Sequence, residues 1–321
     1  MKSVVKQSAC ILSLLVAFVV TARAEPRETL RIHDPSTPLR VDNTWWIFGT
    51  GKLLTAARSS DLRTWEKLPS PLSARPAWAP DVAPKNKANF YWAPDLIKLG
   101  ELYHLYYSVS EFGQNHSAIG LATSPTLDPK KPGYGWTDHG IVIRSGEGDR
   151  FNAIDASVLA TADNHLWMAF GSFWDGIFIV ELDPKTGLRL APDSPLHRVA
   201  YCKEIEAPTM YQRGDYFYLF FNQGLCCRGK NSTYTIKVGR SRTVTGPYLD
   251  HEDRDLVSGG GHPVLGTKGD FIGPGHAGLV RDPNGREWLT VHFYDGTKNG
   301  APTFARRALA WTDDGWPRVT D

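Results

Sequence analysis

An all-β fold made of five repeated units is what this sequence predicts, and three observations lead to it. Aromatic residues are abundant, with 11 Trp, 12 Tyr and 14 Phe beside 30 Gly and 22 Pro in 321 residues. Aromatics suit pleated, half-buried strands, whereas Gly and Pro interrupt helices and make turns. A short aromatic or β-branched run recurs five times, over 44–50, 102–108, 166–172, 216–222 and 287–293. No long amphipathic helix pattern interrupts the series.

Each run follows a polar turn: Asp42-Asn43, Leu99-Gly100, Asp163-Asn164, Arg213-Gly214 and Asn284-Gly285. The aligned aromatics Trp46, Tyr103, Trp167, Phe217 and Trp288 are 57, 64, 50 and 71 residues apart. That period is one four-stranded propeller blade plus inserted loops. The expected architecture is a five-bladed β-propeller forming a single domain over residues 25–321.

Residues 1–24 stand apart. Lys2 and Lys6 precede an apolar run at 11–20, and Ala22-Arg23-Ala24 ends it as a small-x-small cleavage site. The run is about half the length of a membrane span, so it reads as a secretory signal peptide cut near Ala24. The product would be secreted or periplasmic. Its removal leaves 297 residues and turns the formal charge from +2 to −1. With no basic block, nothing points to nucleic acid or a membrane surface as partner, and a monomer is expected. The three remaining cysteines, Cys202, Cys226 and Cys227, are too few and odd in number for a disulfide framework. Adjacent Cys226 and Cys227 could form a vicinal disulfide or stay as two thiols.

Ahead of each aligned aromatic sits a polar residue in an apolar or Pro-bounded setting: Asp34, Asp95, Asp155, Glu206 and His276, preceding it by 12, 8, 12, 11 and 12. Alone, an Asp before Pro is a turn residue. As equivalent positions on five innermost strands, they would converge on the central channel. Carboxylates flanked by aromatics suit glycosidic hydrolysis, in which one acid protonates the leaving oxygen and one base activates water. Glu206, between Ile205 and Ala207, has an apolar setting that favours its protonated form, while Asp34 beside His33 suits an ionised base.

The motifs Arg31-Ile32-His33-Asp34-Pro35, Tyr91-Trp92-Ala93-Pro94-Asp95, Glu111-Phe112-Gly113, Asn152-Ala153-Ile154-Asp155, Phe170-Gly171-Ser172-Phe173-Trp174, Ile205-Glu206-Ala207-Pro208 and Gly273-Pro274-Gly275-His276 occur in this order along the chain. In them the sequence resembles glycoside hydrolase family 43, most of all its endo-α-1,5-L-arabinanase branch. The resemblance implies an inverting mechanism with Asp34 as general base, Glu206 as general acid and Asp155 orienting Glu206 and raising its pKa. Inversion asks for the base and acid to stand about 6.5–9.5 Å apart. No cofactor is implied for the chemistry, but one structural Ca²⁺ in the channel near His276 is, held mainly through water. The plainer reading of His276 is a buried, hydrogen-bonded histidine.

Arabinan and arabino-oligosaccharides are then the expected substrates. Trp92, Phe112 and Trp174 are candidates for stacking on sugar faces, although propeller aromatics also fill inter-blade core. Asn152 and Ser172 are candidates for hydrogen bonds to sugar. Asp95 reads as structural rather than as a sugar ligand. Trp78 could reach the cleft or mark a surface turn, and Arg240 could bond substrate or brace the channel. An exo-acting arabinofuranosidase or β-xylosidase is the nearest alternative, and a non-catalytic carbohydrate-binding propeller a more distant one.

Overall fold

A strand sends alternate side chains to opposite faces, and in this chain both faces are apolar. Along the run at 216–222, Leu219 and Phe221 enter one buried cluster while Tyr218 and Phe220 enter the next. Each sheet therefore needs cover on both sides. Sheets stacked face to face around an axis supply it for all of them.

The computed structural model describes Met1 and residues 30–320. Apart from Met1, the segment 1–24 lies outside the described residues. Blade 1 holds β1 (Leu39–Val41), β2 (Thr44–Gly49), β4 (Thr55–Ser59) and β5 (Glu66–Leu68), with the two-residue β3 (Gly51–Lys52) crossing to pair with blade 2. A single helical turn, α1 (Ala79–Val82), precedes blade 2, which is β6 (Phe90–Leu99), β7 (Leu102–Val109), β8 (Ser117–Ser124) and β9 (Thr137–Ser145). Blade 3 is β10 (Ser157–Ala160), β11 (Leu166–Phe170), β12 (Ile177–Leu182) and β13 (His197–Ala200). Blade 4 is β14 (Ile205–Arg213), β15 (Tyr216–Gln223), β16 (Thr235–Ser241) and β17 (His262–Leu265). Blade 5 is β18 (Phe271–Arg281), β19 (Glu287–Asp295), β20 (Ala301–Trp311) and β21 (Pro317–Val319).

The five aromatic runs of the sequence are β2, β7, β11, β15 and β19, the second strand of every blade. The five-bladed propeller is thus the observed fold. First strands touch in succession, β6 with β10, β10 with β14 and β14 with β18, and so line the axis. The seams between blades are the core: Trp46, Phe48 and Tyr107 between blades 1 and 2, Tyr106, Met168 and Phe170 between 2 and 3, and Ile179, Leu219 and Phe221 between 3 and 4. Phe220, Val238 and Leu289 fill the fourth seam, and Ile47 with Phe304 and Trp45 with Trp288 fill the fifth.

Closure is made at the fifth seam. Residues 30–32 run beside β20, with Phe304 N–H donating to the Leu30 carbonyl at 2.8 Å and Ile32 N–H to the Pro302 carbonyl at 3.2 Å. Among the described residues no helix is long and apolar enough to cross a membrane.

Candidate active site

At one end of the axis each blade carries one residue in the left-handed region: Asp34 (φ 45°), Ala93 (43°), Asp155 (62°), Ala207 (53°) and His276 (55°). None is glycine, so each conformation needs outside support. The preceding blade provides it. Ala93 N–H donates to Thr50 Oγ1 (2.9 Å), Asp155 N–H to Ser108 Oγ (3.0 Å), Ala207 N–H to Asp155 Oδ2 (3.1 Å), His276 N–H to Asn222 Oδ1 (2.9 Å) and Asp34 N–H to His292 Nδ1 (3.2 Å). One such bond crosses every seam.

This ring corrects the expected equivalence of five polar residues. Asp34, Asp155 and His276 do occupy one position, but blades 2 and 4 fill it with Ala93 and Ala207. Glu206 lies one residue before its left-handed neighbour and Asp95 two residues after. Strand register shifts between Trp92 and Asp95, between Glu206 and Thr209, and between Gly275 and Gly278, so a bulge of one kind surrounds the left-handed residue in blades 2, 4 and 5 alike.

Asp95 belongs to a second ring two residues further on. Its Oδ2 accepts from Val158 N–H at 2.7 Å, Ser157 Oγ accepts from Met210 N–H at 2.9 Å, and Thr209 Oγ1 donates to the Ala277 carbonyl at 2.6 Å. At the fifth seam Gly278 stands where a Cβ would come within 3.0 Å of Thr37 Cα. Burial pushes the Asp95 carboxyl up to about 6, against the N–H groups that hold its charge. Asp95 braces blades, as its structural reading expected.

Asp34 is surrounded by imidazoles. His33 Nδ1 lies 2.7 Å from Oδ2, which also accepts from Thr50 Oγ1 at 2.7 Å, while His276 Nδ1 and His292 Nδ1 lie 3.6 and 3.7 Å from Oδ1. His33 stacks on His292 with centroids 4.3 Å apart and joins Tyr294 Oη through Nε2 at 2.7 Å. Burial disfavours the Asp34 charge, but His33, by charge and hydrogen bond, with His276 and His292, holds the carboxyl well below the usual range. Burial opposes protonation of His33, yet Asp34 wins and raises its pKa.

Glu206 has hydroxyls instead. Ser172 Oγ donates to Oε2 at 2.8 Å and Tyr234 Oη donates to Oε1. Burial pushes Glu206 up to about 7, with the charge of Asp34 adding to it and the two hydroxyls and His33 opposing. Asp155 is buried too, and desolvation followed by the charges of Glu206 and Asp34 raises it well above the usual carboxylate range. Asp155 reaches the acid through the backbone, since its Oδ2 holds the N–H of Ala207. Such neighbours titrate as a pair rather than as two independent acids.

The remaining candidates scatter. Phe112 (81% exposed) and Trp174 (39%) project into solvent from loops after β7 and β11, whereas Trp92 is half-buried in β6. Asn152 is buried, its Oδ1 taken by Ser117 Oγ at 2.6 Å, and Ser172 is spent on Glu206. Trp78 packs over Gly120 and stacks on Tyr107 in blade 2. Arg240 bonds the Asp314 carbonyl at 2.5 Å and lies between Tyr216 and Trp316, a brace between blades 4 and 5. Cys226 and Cys227 form a vicinal disulfide, and Cys202 is free.

Sequence reasoning missed Tyr234, His292 and Tyr294 and gave His33 no role beyond flanking Asp34. For His292 a signal was present, since it is a polar residue between Val291 and Phe293 in a second strand. Among the described residues, metal-ligand spacing groups His33, Asp34 and His292, with ligand atoms within 4.8 Å of one another; His276 stands beside that group. Ca²⁺ prefers six to eight oxygen ligands, and one carboxylate among imidazoles is no bare-ion cage. His292 Nδ1 accepts the Asp34 N–H, so its buried, unpartnered Nε2 carries hydrogen and suits a water. The donor set therefore fits an ion that keeps its water.

Comparison with known proteins agrees on the fold and on glycoside hydrolysis. The family model described as "Glycosyl hydrolases family 43" matches residues 25–317. The chain is 38% identical over 304 residues to an extracellular exo-α-(1→5)-L-arabinofuranosidase of Cellvibrio japonicus, covering 90% of this chain and 86% of that one. It is 38% identical over 294 residues to an extracellular endo-α-(1→5)-L-arabinanase of Bacillus subtilis, covering 89% and 87%. The structure of Cellvibrio cellulosa α-L-arabinanase complexed with arabinohexaose superposes with a TM-score of 0.86 at 37% identity, over 91% of this chain and 96% of that one.

Proposed function

The chain belongs to glycosyl hydrolases family 43 and is a glycoside hydrolase, and from that premise we propose that it is an exported endo-α-1,5-L-arabinanase acting by inversion. What carries the mechanism is the contrast between its two carboxyl groups: Asp34 is held ionised by imidazoles, and Glu206 is held protonated by burial. Asp34 takes a proton from water as the oxygen attacks the anomeric carbon. Glu206 gives its proton to the departing oxygen. The products leave Asp34 protonated and Glu206 ionised, and solvent exchange resets both. Asp155 fixes the turn that carries Glu206 through Ala207 N–H and disfavours a second charge beside it.

Phe112 and Trp174, exposed on two loops, supply stacking surface for an extended chain. A hydrated Ca²⁺ held through water near His276 belongs to the same reading and would help keep Asp34 charged. Export rests on the apolar run at 11–20 and the extracellular relatives.

Linear arabinan tests this directly. Early products of mixed length, with inverted anomeric configuration in the proton spectrum, are expected, and activity is lost in Asp34→Ala and Glu206→Ala. Release of arabinose alone would move the assignment to exo action, the reading that the Cellvibrio japonicus relative favours. Calcium that fails to raise the melting temperature of EDTA-treated protein would remove the ion.

A further inference from the structure

One loop is joined to both catalytic carboxyl groups, directly to Glu206 and through two side chains to Asp34. Residues 224–234 join β15 to β16, and Tyr234 at the loop's end donates to Glu206 Oε1. Near its start, Cys227 N–H donates to Tyr294 Oη at 2.7 Å, and Tyr294 Oη meets His33 Nε2 at 2.7 Å. His33 Nδ1 in turn meets Asp34. Three links thus run from the Cys227 backbone to the carboxylate assigned as base, and Cys227 Sγ itself lies 3.9 Å from His33 Nε2.

The conformation at the head of this chain is unusual. Cys227 has φ 64°, where a non-glycine residue needs support. The disulfide to Cys226 closes a small ring around the intervening peptide and removes most of its freedom. Leu225 N–H bonded to Thr233 Oγ1 at 2.9 Å and Arg228 N–H bonded to Ser232 Oγ at 3.1 Å tie the loop across its base. Neither of these bonds fixes the direction of the Cys227 N–H.

We infer that the Cys226–Cys227 disulfide is a positioning element for the hydrolysis proposed above: it aims the Cys227 N–H at Tyr294, which sets the His33 ring against Asp34. The inference rests on the arabinanase reading for its kinetics, though not for its geometry. Cys227 is exposed, so a small phosphine reaches the bond without unfolding the blades.

The experiment uses the mature protein carrying Cys202→Ser, so that only this pair reports. Tris(2-carboxyethyl)phosphine opens the bond, a thiol count confirms two free cysteines, and circular dichroism confirms the fold. On linear arabino-oligosaccharide, kcat falls about tenfold or more, because a small misplacement of a reacting group is costly, while KM stays within about twofold; reoxidation restores both. Tyr294→Phe shows the same kcat loss and no further response to reduction, the non-additivity expected of groups acting in one chain. An unchanged kcat with both thiols free, or losses that multiply, overturns the inference. The ¹⁵N resonances of His33 shift on reduction whatever the substrate is. If the oxidised protein leaves arabinan intact, the arabinanase reading fails, while unmoved His33 resonances overturn the positioning role separately.

Discussion

Around Asp34 the protein gathers His33, His276 and His292, whereas around Glu206 it gathers Ser172, Tyr234 and a second carboxyl group, Asp155. Both lie at the same end of the axis, Asp34 in the left-handed ring and Glu206 one residue before it, and burial raises the pKa of each. Imidazoles reverse that effect at Asp34. Hydroxyls only moderate it at Glu206. A fold with near five-fold repetition thus obtains two opposite acid strengths by changing which side chains face one channel.

The largest test of this contrast removes each group in turn. Asp34→Asn and Glu206→Gln are each expected to lower kcat on linear arabinan by about 10²–10⁴. A nitrophenyl arabino-oligosaccharide, whose leaving group needs no proton, restores much of the rate to Glu206→Gln and none to Asp34→Asn. Equal rescue of both would abolish the assignment of acid and base.

Titration sharpens it next. As the proposed acid Glu206 must carry its proton, and burial pushes it up to about 7, so kcat/KM is expected to fall as pH rises through that value. The Tyr234 hydroxyl favours the ionised form, so Tyr234→Phe moves this basic limb to higher pH. A basic limb left in place would separate Tyr234 from the acid.

Stability carries a smaller trace of the same difference. A carboxyl raised on folding contributes stability below its unfolded pKa near 4.5 and loses it as pH rises through about 7. Glu206→Gln therefore raises the melting temperature at pH 8 relative to the parent and leaves it close to the parent at pH 4. A loss at pH 8 would show that the charge is better solvated than burial implies.

Smallest of all is the effect of the carboxylate that only braces. Asp95→Ala leaves Val158 N–H without its acceptor and costs about 1–3 kcal/mol, Asp95→Asn costs less, and folded Asp95→Asn keeps its kcat. A large kcat loss in Asp95→Asn would move that residue into the site.

The blades were legible because their second strands repeat an aromatic pattern that burial on two faces enforces. The three carboxyl groups stood out in apolar or Pro-bounded settings. Register was harder to read. Asp34, Asp155 and His276 each precede their aligned aromatic by 12 residues, and they share one structural position; Asp95 at 8 and Glu206 at 11 do not. The unequal intervals held the difference, but they do not say which residue of a bulged strand takes the left-handed position. Tyr234 and Tyr294 were invisible for another reason, since their hydroxyls matter through partners 28 and 261 residues away.

The last of these long spans has a consequence in time. Asp34 is held through His292 and His33 through Tyr294, so the base near the start of the chain waits on β19, close to its end. A polypeptide halted on the ribosome after blade 4 already contains Asp34, Asp155 and Glu206 and still lacks the His292 and Tyr294 contacts that hold the proposed base. On the proposed mechanism, hydrolysis begins only with the closing of the ring.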